Sequence, residues 1–169
     1  MLRRVLLDGL APYRRWLGIV VVLQVVGNAP PPEVLALKGG GVEVTGWVED
    51  VTPYVDAAAV VAAPLSLGGG MRIKILEALV AGKAVVATTR AAEGLHVLEG
   101  EHIVLRDEDE AFADAIAELL SNPAWRAALA IAGRTFALAH LTWSATADAY
   151  EALYDDLLAE RRRRLPPPS

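Results

Sequence analysis

Along most of this chain, short apolar runs alternate with stretches in which apolar positions recur every three or four residues, and that alternation predicts strands separated by helices. From Leu2 to about Trp16, Val5, Leu6, Leu10 and Tyr13 repeat at helical spacing while Arg3, Arg4, Arg14 and Arg15 supply charge, so a first helix is predicted there. Ile19 to Val26 is a nearly continuous β-branched run closed by Gly27 and Asn28, the pattern of a strand covered on both faces. Pro30 to Pro32 restart the chain before a short helix at Glu33 to Leu37, which Gly39 to Gly41 end. Val42 to Thr45 reads as a second strand. Gly46, Trp47 and the acidic pair Glu49 and Asp50 form a loop, and Val51 to Asp56 make one or two helical turns.

Ala58 to Ala63 is the third strand, ended by Pro64; it leads through a glycine-rich loop into a helix over Arg72 to Ala81, with Gly82 as its C-cap. Ala84 to Thr88 is the fourth strand and Ile103 to Leu105 a short fifth. The remainder is helical. Phe112, Ile116, Leu119 and Leu120 line a helix begun near Asp107 or Asp109, and Ser121, Asn122 and Pro123 break it. Trp125, Leu129, Ala132 and Phe136 line the next helix. Thr142 caps a last one whose predicted buried stripe is Trp143, Ala147, Tyr150, Tyr154 and Leu157. Because parallel neighbours need a crossover, this order predicts an α/β fold: a Rossmann-like parallel sheet with helices on both faces and a helical C-terminal segment. Ligands of such sheets bind outside the carboxyl ends of the strands, where the glycine loop after the third strand must lie.

Composition narrows this picture. The 169 residues suit one domain, expected over 1–160, with 161–169 as a basic, proline-rich tail. Hydrophobic residues make up 54% of the chain, yet no apolar run approaches the ~20 residues of a membrane span, so the surplus belongs in a buried sheet. Zero cysteines exclude disulfides, thiolate nucleophiles and cysteine-based zinc sites, and make a cytoplasmic location the simplest expectation. A net charge of -5 argues against a nucleic-acid partner. The basic cluster Arg161 to Arg164 reads as a solvated helix end favoured by the helix dipole; the alternative is peripheral contact with acidic lipid on the inner membrane face, or with a partner.

Candidate chemistry concentrates in PLSLGGGMRIKILEALVAG, residues 64 to 82. Glycines let the backbone approach a ligand closely, and the free N–H groups and positive end of the following helix favour an anion, so this loop has the make-up of a phosphate cradle as well as of a simple tight turn. Only three of the 16 basic residues are lysines, Lys38, Lys74 and Lys83, and Lys74 lies one turn before Glu77. Glu77 sits about two turns into the helix, where a carboxylate can accept hydrogen bonds from sugar hydroxyls. The two also suit an i,i+3 ion pair on a solvated face; against that, Ile73, Ile75, Leu76, Ala78, Leu79 and Val80 make the helix apolar nearly all round, which predicts burial and a need for a ligand. Glu93 and Gly94 lie in the loop after the next strand, at the same end of the sheet, although a loop carboxylate is more often a solvated surface group. His96 and His102 lack the spacing of metal ligands, and His140 suits the end of a helix. No Ser-His-Asp arrangement or paired carboxylates can be assembled.

Three segments, VEVTGWVEDVTPYVDAAAVVAAPL, GGGMRIKILEALVAGKAVVATTRAAEGL and LTWSATADAYEALYDDLL, resemble in order and motif the C-terminal, nucleotide-sugar-binding half of retaining glycosyltransferases with the GT-B fold, of the family-four type. The resemblance covers about residues 19–158. It implies a donor site for a nucleoside diphosphate sugar, used without a cofactor or an obligatory metal, with transfer to a saccharide or lipid-linked acceptor. By resemblance Glu77 is the ribose-binding glutamate, Gly69 and Gly70 with Gly68 form the loop that meets the diphosphate or sugar, and Gly46 and Trp47 lie beside the base. Lys74 matches a basic position of the subgroup with this glycine-rich motif, and Ser66, Arg72, Glu93 and Gly94 complete the implied donor site.

The departures shape what is expected. Many relatives carry a second glutamate where this chain has Gly69, and subgroup relatives often have arginine where it has Ser66. The family's half-domain opens with a strand and a glycine-rich turn bearing an arginine and a lysine that neutralise the diphosphate; by the resemblance, these residues and the acceptor-binding N-terminal domain are expected to lie outside the 169 residues. The expectation is therefore a donor-binding half that needs a partner domain, fused or separate, to be active. A non-catalytic remnant or interaction module is the alternative, and a sugar-nucleotide epimerase a more distant one.

Overall fold

The computed structural model describes residues 23–39, 41–65 and 72–164. The helix predicted over 2–16, the start of the strand predicted from Ile19, and residues 66–71 with Ser66, Gly68, Gly69 and Gly70 lie outside these. In chain order the elements are β1 (Leu23–Val26), α1 (Pro32–Leu35), β2 (Val42–Gly46), α2 (Thr52–Ala57), β3 (Val60–Ala63), α3 (Arg72–Val80), β4 (Ala84–Ala87), β5 (Val104–Leu105), α4 (Asp109–Ser121), α5 (Pro123–His140) and α6 (Trp143–Arg164). Every strand predicted within the described residues is present, shifted by at most two residues at either end.

All strand pairs are parallel. β1 runs beside β2 with Leu23 opposite Val42, and β4 lies between β3 and β5 with Val61 opposite Val85 and Val86 opposite Val104. The two ladders are not hydrogen-bonded to each other among the described residues, but one apolar cluster bridges them: Val42 and Val44 of β2 pack together with Ala84 and Val86 of β4, Val104 of β5, and Phe112, Ile116 and Leu119 of α4.

β4 shows how a four-residue apolar run becomes the centre of a fold. Successive side chains of a strand point to opposite faces. Ala84 and Val86 therefore enter the cluster under α4, while Val85 and Ala87 enter a second cluster with Ile75 and Leu79 of α3 and Ala137 of α5. Both faces being covered, the strand is wholly buried, which is why its sequence carries no polar alternation. One side chain, Asn122, both ends α4 and starts α5: its Oδ1 accepts the Trp125 N–H at 3.0 Å, and Pro123 occupies the first helical turn, where a missing donor is harmless.

Two expectations about burial are corrected. The helix over 72–80 is not buried all round: Ile75, Ala78 and Leu79 face the core while Ile73, Lys74, Glu77 and Val80 are exposed. Positions 75, 78 and 79 share one side at 100° per residue, and only that side meets β4 and α5. The stripe predicted for the last helix is exposed as well, with Trp143 at 91% and Tyr150, Tyr154 and Leu157 over half exposed. Among the described residues α6 packs mainly against α5, so its amphipathic spacing has no core beneath it. The helix continues through Arg164, which places the four arginines in its last turn.

Asp50 supplies the entry to α2. Its Oδ1 accepts the Thr52 N–H at 2.8 Å, and hydrogen bonds from the Thr52 side chain and then its backbone hold the carboxyl below the usual carboxylate range. A lowered folded-state pKa means that this support is present above the unfolded value and is lost as pH falls through the folded one. A carbon-detected NMR titration should accordingly place the Asp50 midpoint below that of aspartate in an unstructured peptide, and Thr52→Ala should move it upward; equal midpoints would contradict these hydrogen bonds.

Candidate functional site

Of the residues singled out in the sequence, Gly46 and Trp47 lie at the carboxyl end of β2, Glu93 and Gly94 in the loop after β4, and Lys74 and Glu77 on the helix that follows β3. β2 ends at Gly46, whose φ of 74° belongs to the left-handed region that glycine enters without strain. Its carbonyl accepts the Gly27 N–H at 3.2 Å, tying the end of β2 to the turn after β1. No atom lies within 4 Å of where a Cβ would sit, and the turn delivers Trp47 with 69% of its surface exposed. An indole so displayed is a flat apolar platform with a single N–H donor.

β3 ends at Ala63, and Pro64 and Leu65 carry the chain away from the sheet before residues 66–71 lead to α3, which opens at Arg72. Lys74 and Glu77 lie on the exposed side of α3, with Glu77 about 7.5 Å along the axis from the first helical residue. The alternative of an i,i+3 ion pair does not hold: among the described residues neither Lys74 nor Glu77 has a side-chain hydrogen bond or salt bridge. A carboxylate and an ammonium are thus presented on the helix that follows β3, each with its bonding capacity open.

The loop after β4 is built in the opposite manner, with anchored flanks and an exposed tip. Ala91, Ala92 and Leu95 are buried in the cluster beneath α3, while Glu93 and Gly94 between them are exposed. Three residues outside the sequence-based expectation hold this loop. Thr88, only 3% exposed, donates its hydroxyl to the Leu65 carbonyl at 2.7 Å and accepts the Ala91 N–H at 3.2 Å. Thr89 gives both its N–H (2.9 Å) and its hydroxyl (2.7 Å) to the Asp107 carboxylate, which follows β5. The sequence did carry a signal for them: hydroxyl and carboxylate side chains just past strand ends are the residues that bond nearby backbone in turns.

His102 and His140 are held in packing contacts. His102 is buried, accepts the Leu98 N–H on Nδ1 at 3.1 Å and stacks on Phe136 with ring centroids 4.2 Å apart; His140, the last residue of α5, also contacts the Phe136 ring, tilted, at 4.9 Å. Among the described residues no three His, Cys, Asp or Glu side chains are grouped to hold a metal ion, and no helix is long and apolar enough to cross a membrane. A cavity of about 250 Å³ between Ala58, Gly82, Lys83, Pro123 and Arg126 lies at the amino ends of β3 and β4, away from the candidate site.

Comparison with known proteins places the family and the fold. The family described as "Glycosyl transferases group 1" matches residues 4–122. No curated protein sequence gives a significant match. Among solved structures, the sucrose-phosphate synthase of Thermosynechococcus elongatus superposes with a TM-score of 0.62 at 22% identity, over 89% of this chain and 49% of that one. The C-terminal domain of a glycosyl transferase group 1 family protein (LpcC) from Francisella tularensis gives 0.57 at 20% identity, over 67% of this chain and 66% of that domain. HepE of Anabaena, solved in complex with UDP, gives 0.60 at 16% identity, over 88% and 53%. At these identities the superpositions establish the fold, one lobe of GT-B type; the chain spans about half the length of the synthase and of HepE.

Proposed function

This chain belongs to the family of glycosyl transferases group 1, and on that premise we propose that it is the donor-binding half of a retaining, family-four-type enzyme that transfers a hexosyl group from a nucleoside diphosphate sugar to a saccharide or lipid-linked acceptor. The observation that carries this reading is Glu77. An exposed carboxylate without a partner among the described residues, on the helix that follows the carboxyl end of β3, can accept two hydrogen bonds at once, and the vicinal hydroxyls of a ribose supply two donors at matching spacing. HepE, which shares the fold, was solved with UDP bound, and that supports a donor of this class.

In this reading Trp47 and the Gly46 turn take the base, Glu77 the ribose, and the glycine loop ahead of α3 the diphosphate, with Lys74 adding positive charge. Glu93 and Gly94 face the sugar. Charge builds on the diphosphate as the glycosidic bond breaks, and preorganised N–H groups and cations aimed at it lower the barrier. Ser66 stands where subgroup relatives carry an arginine, so this chain supplies fewer cations than they do. Acceptor recognition, and the remaining neutralising groups, are assigned to the half of the relatives' length that this chain does not span.

Titration calorimetry with uridine, guanosine and adenosine diphosphate sugars is expected to show binding of one of them in the millimolar range or tighter. Glu77→Ala should weaken it about ten- to a hundredfold, the usual effect of removing hydrogen bonds to a charged group. Unchanged affinity in that variant would remove the ribose role, and no heat with any donor would remove the donor site.

A further inference from the structure

The carboxyl edge of the three-stranded sheet is held by a chain of hydrogen bonds centred on one threonine. We propose, on the basis of the donor-site reading above, that Thr88 is the positioning residue of that site, with Asp107 as its support: together they lock the loop carrying Glu93 and Gly94 against the exit of β3.

Thr88 makes four bonds that reach three places. Its N–H donates to the Ala63 carbonyl at the end of β3 (3.3 Å), its hydroxyl donates to the Leu65 carbonyl two residues further on (2.7 Å), and its hydroxyl and carbonyl oxygens accept the N–H groups of Ala91 (3.2 Å) and Ala92 (3.2 Å). The first two fasten β4 to the outgoing chain of β3; the last two fold the residues after β4 into a turn. The neighbouring Thr89 is held by both carboxylate oxygens of Asp107, and the Arg106 N–H returns to the Ala87 carbonyl at 2.9 Å. Three successive strand exits are thereby joined at one edge.

The chemistry of the residue matters more than its volume. A hydroxyl can donate and accept at once, so Thr88 satisfies a carbonyl of one loop and an N–H of another from a position with almost no access to water. Valine has the same shape and does neither; it would leave the Leu65 carbonyl and the Ala91 N–H without the partner they have here, where unmade bonds are costly. Glu93 and Gly94 are exposed and follow this turn directly, so their placement relative to Glu77 on α3 depends on how firmly the turn is tied to β3. A donor that contacts both loops would require them in register, and small displacements of positioning groups have large effects on binding and rate.

The test uses the full chain and the best-binding of uridine, guanosine and adenosine diphosphate. Thr88→Val should lower its affinity about tenfold and speed amide exchange at Ala91 and Ala92 while the amides of β4 and α4 stay protected; Thr88→Ser, which keeps the hydroxyl, should restore both. Asp107→Ala, at an exposed position that tolerates substitution, should weaken binding in the same direction, and Asp107→Asn, which can still bond Thr89 at both points, should not. Should Thr88→Val fail to fold, the Asp107 pair decides. If Thr88→Val and Asp107→Ala bind as the wild type does while Glu77→Ala has lost affinity, the positioning role is overturned and the donor site stands. If the wild type binds none of the three, the donor site falls and the positioning role with it.

Discussion

Phe112→Ala should destabilise the protein by about 3–5 kcal/mol, the usual cost of truncating a fully buried aromatic ring. Phe112 has no exposed surface, and the cluster it occupies contains Val42 and Val44 of one ladder and Ala84, Val86 and Val104 of the other. Since those ladders share no hydrogen bonds among the described residues, apolar contact is what connects them there, and the ring stands among the residues that provide it. Against a typical domain stability of about 5–15 kcal/mol, such a loss is a large fraction of the total. Urea denaturation followed by far-ultraviolet circular dichroism will measure it. Phe112→Leu, which keeps most of the apolar volume, should lose much less, and a loss below about 1 kcal/mol in the alanine variant would mean that the cluster collapses around the hole.

Gly133→Val should be as damaging through the opposite defect. A Cβ at Gly133 would lie 2.6 Å from the His102 carbonyl oxygen and 2.8 Å from Leu79 Cδ2. The leucine methyl can rotate away, but the carbonyl belongs to backbone and cannot move without shifting the 98–103 segment, whose His102 ring is already stacked on Phe136. Helix propensity favours replacing a mid-helix glycine by about 1 kcal/mol at most, whereas overpacking costs about 1–3 kcal/mol and more when backbone must yield. Gly133→Ala should thus already be destabilised, and valine, with two further methyls, more so. Melting temperatures of the two variants give the comparison, and an alanine variant as stable as the wild type would show that α5 can shift away from β4 and α3 without loss.

The strands and helices within the described residues could be read from local pattern, because each rests on a short-range rule. β4 could be recognised as a buried strand from four apolar residues between a glycine cap and a threonine pair, and α4 from Phe112, Ile116 and Leu119 at helical spacing. Burial of particular faces could not. Ile73 and Val80 are as apolar as Ile75 and Leu79, and Trp143 and Tyr150 have the spacing of a buried stripe, yet these four are exposed. Apolarity states what a side chain gains from burial, and whether another element lies opposite is a property of the assembled chain.

The same division runs through the candidate site. Glu77, Glu93 and Gly94 could be nominated from residue type and from their places after strands, since the carboxyl edge of a parallel sheet is where loops can meet a ligand, whereas Gly46 and Trp47 came from the family resemblance. That Glu77 lacks a partner among the described residues, that Gly46 takes a positive φ, and that Thr88 bonds Leu65 across 23 residues of sequence were decided by the tertiary structure. By itself the sequence determined the α/β alternation, the family and the chemical types available, because periodicity, turn chemistry and motif are written within a few neighbouring residues. Which groups remain free for a ligand and which are consumed in holding the loops depends on distances between segments far apart in the chain, and only the packed sheet sets those distances.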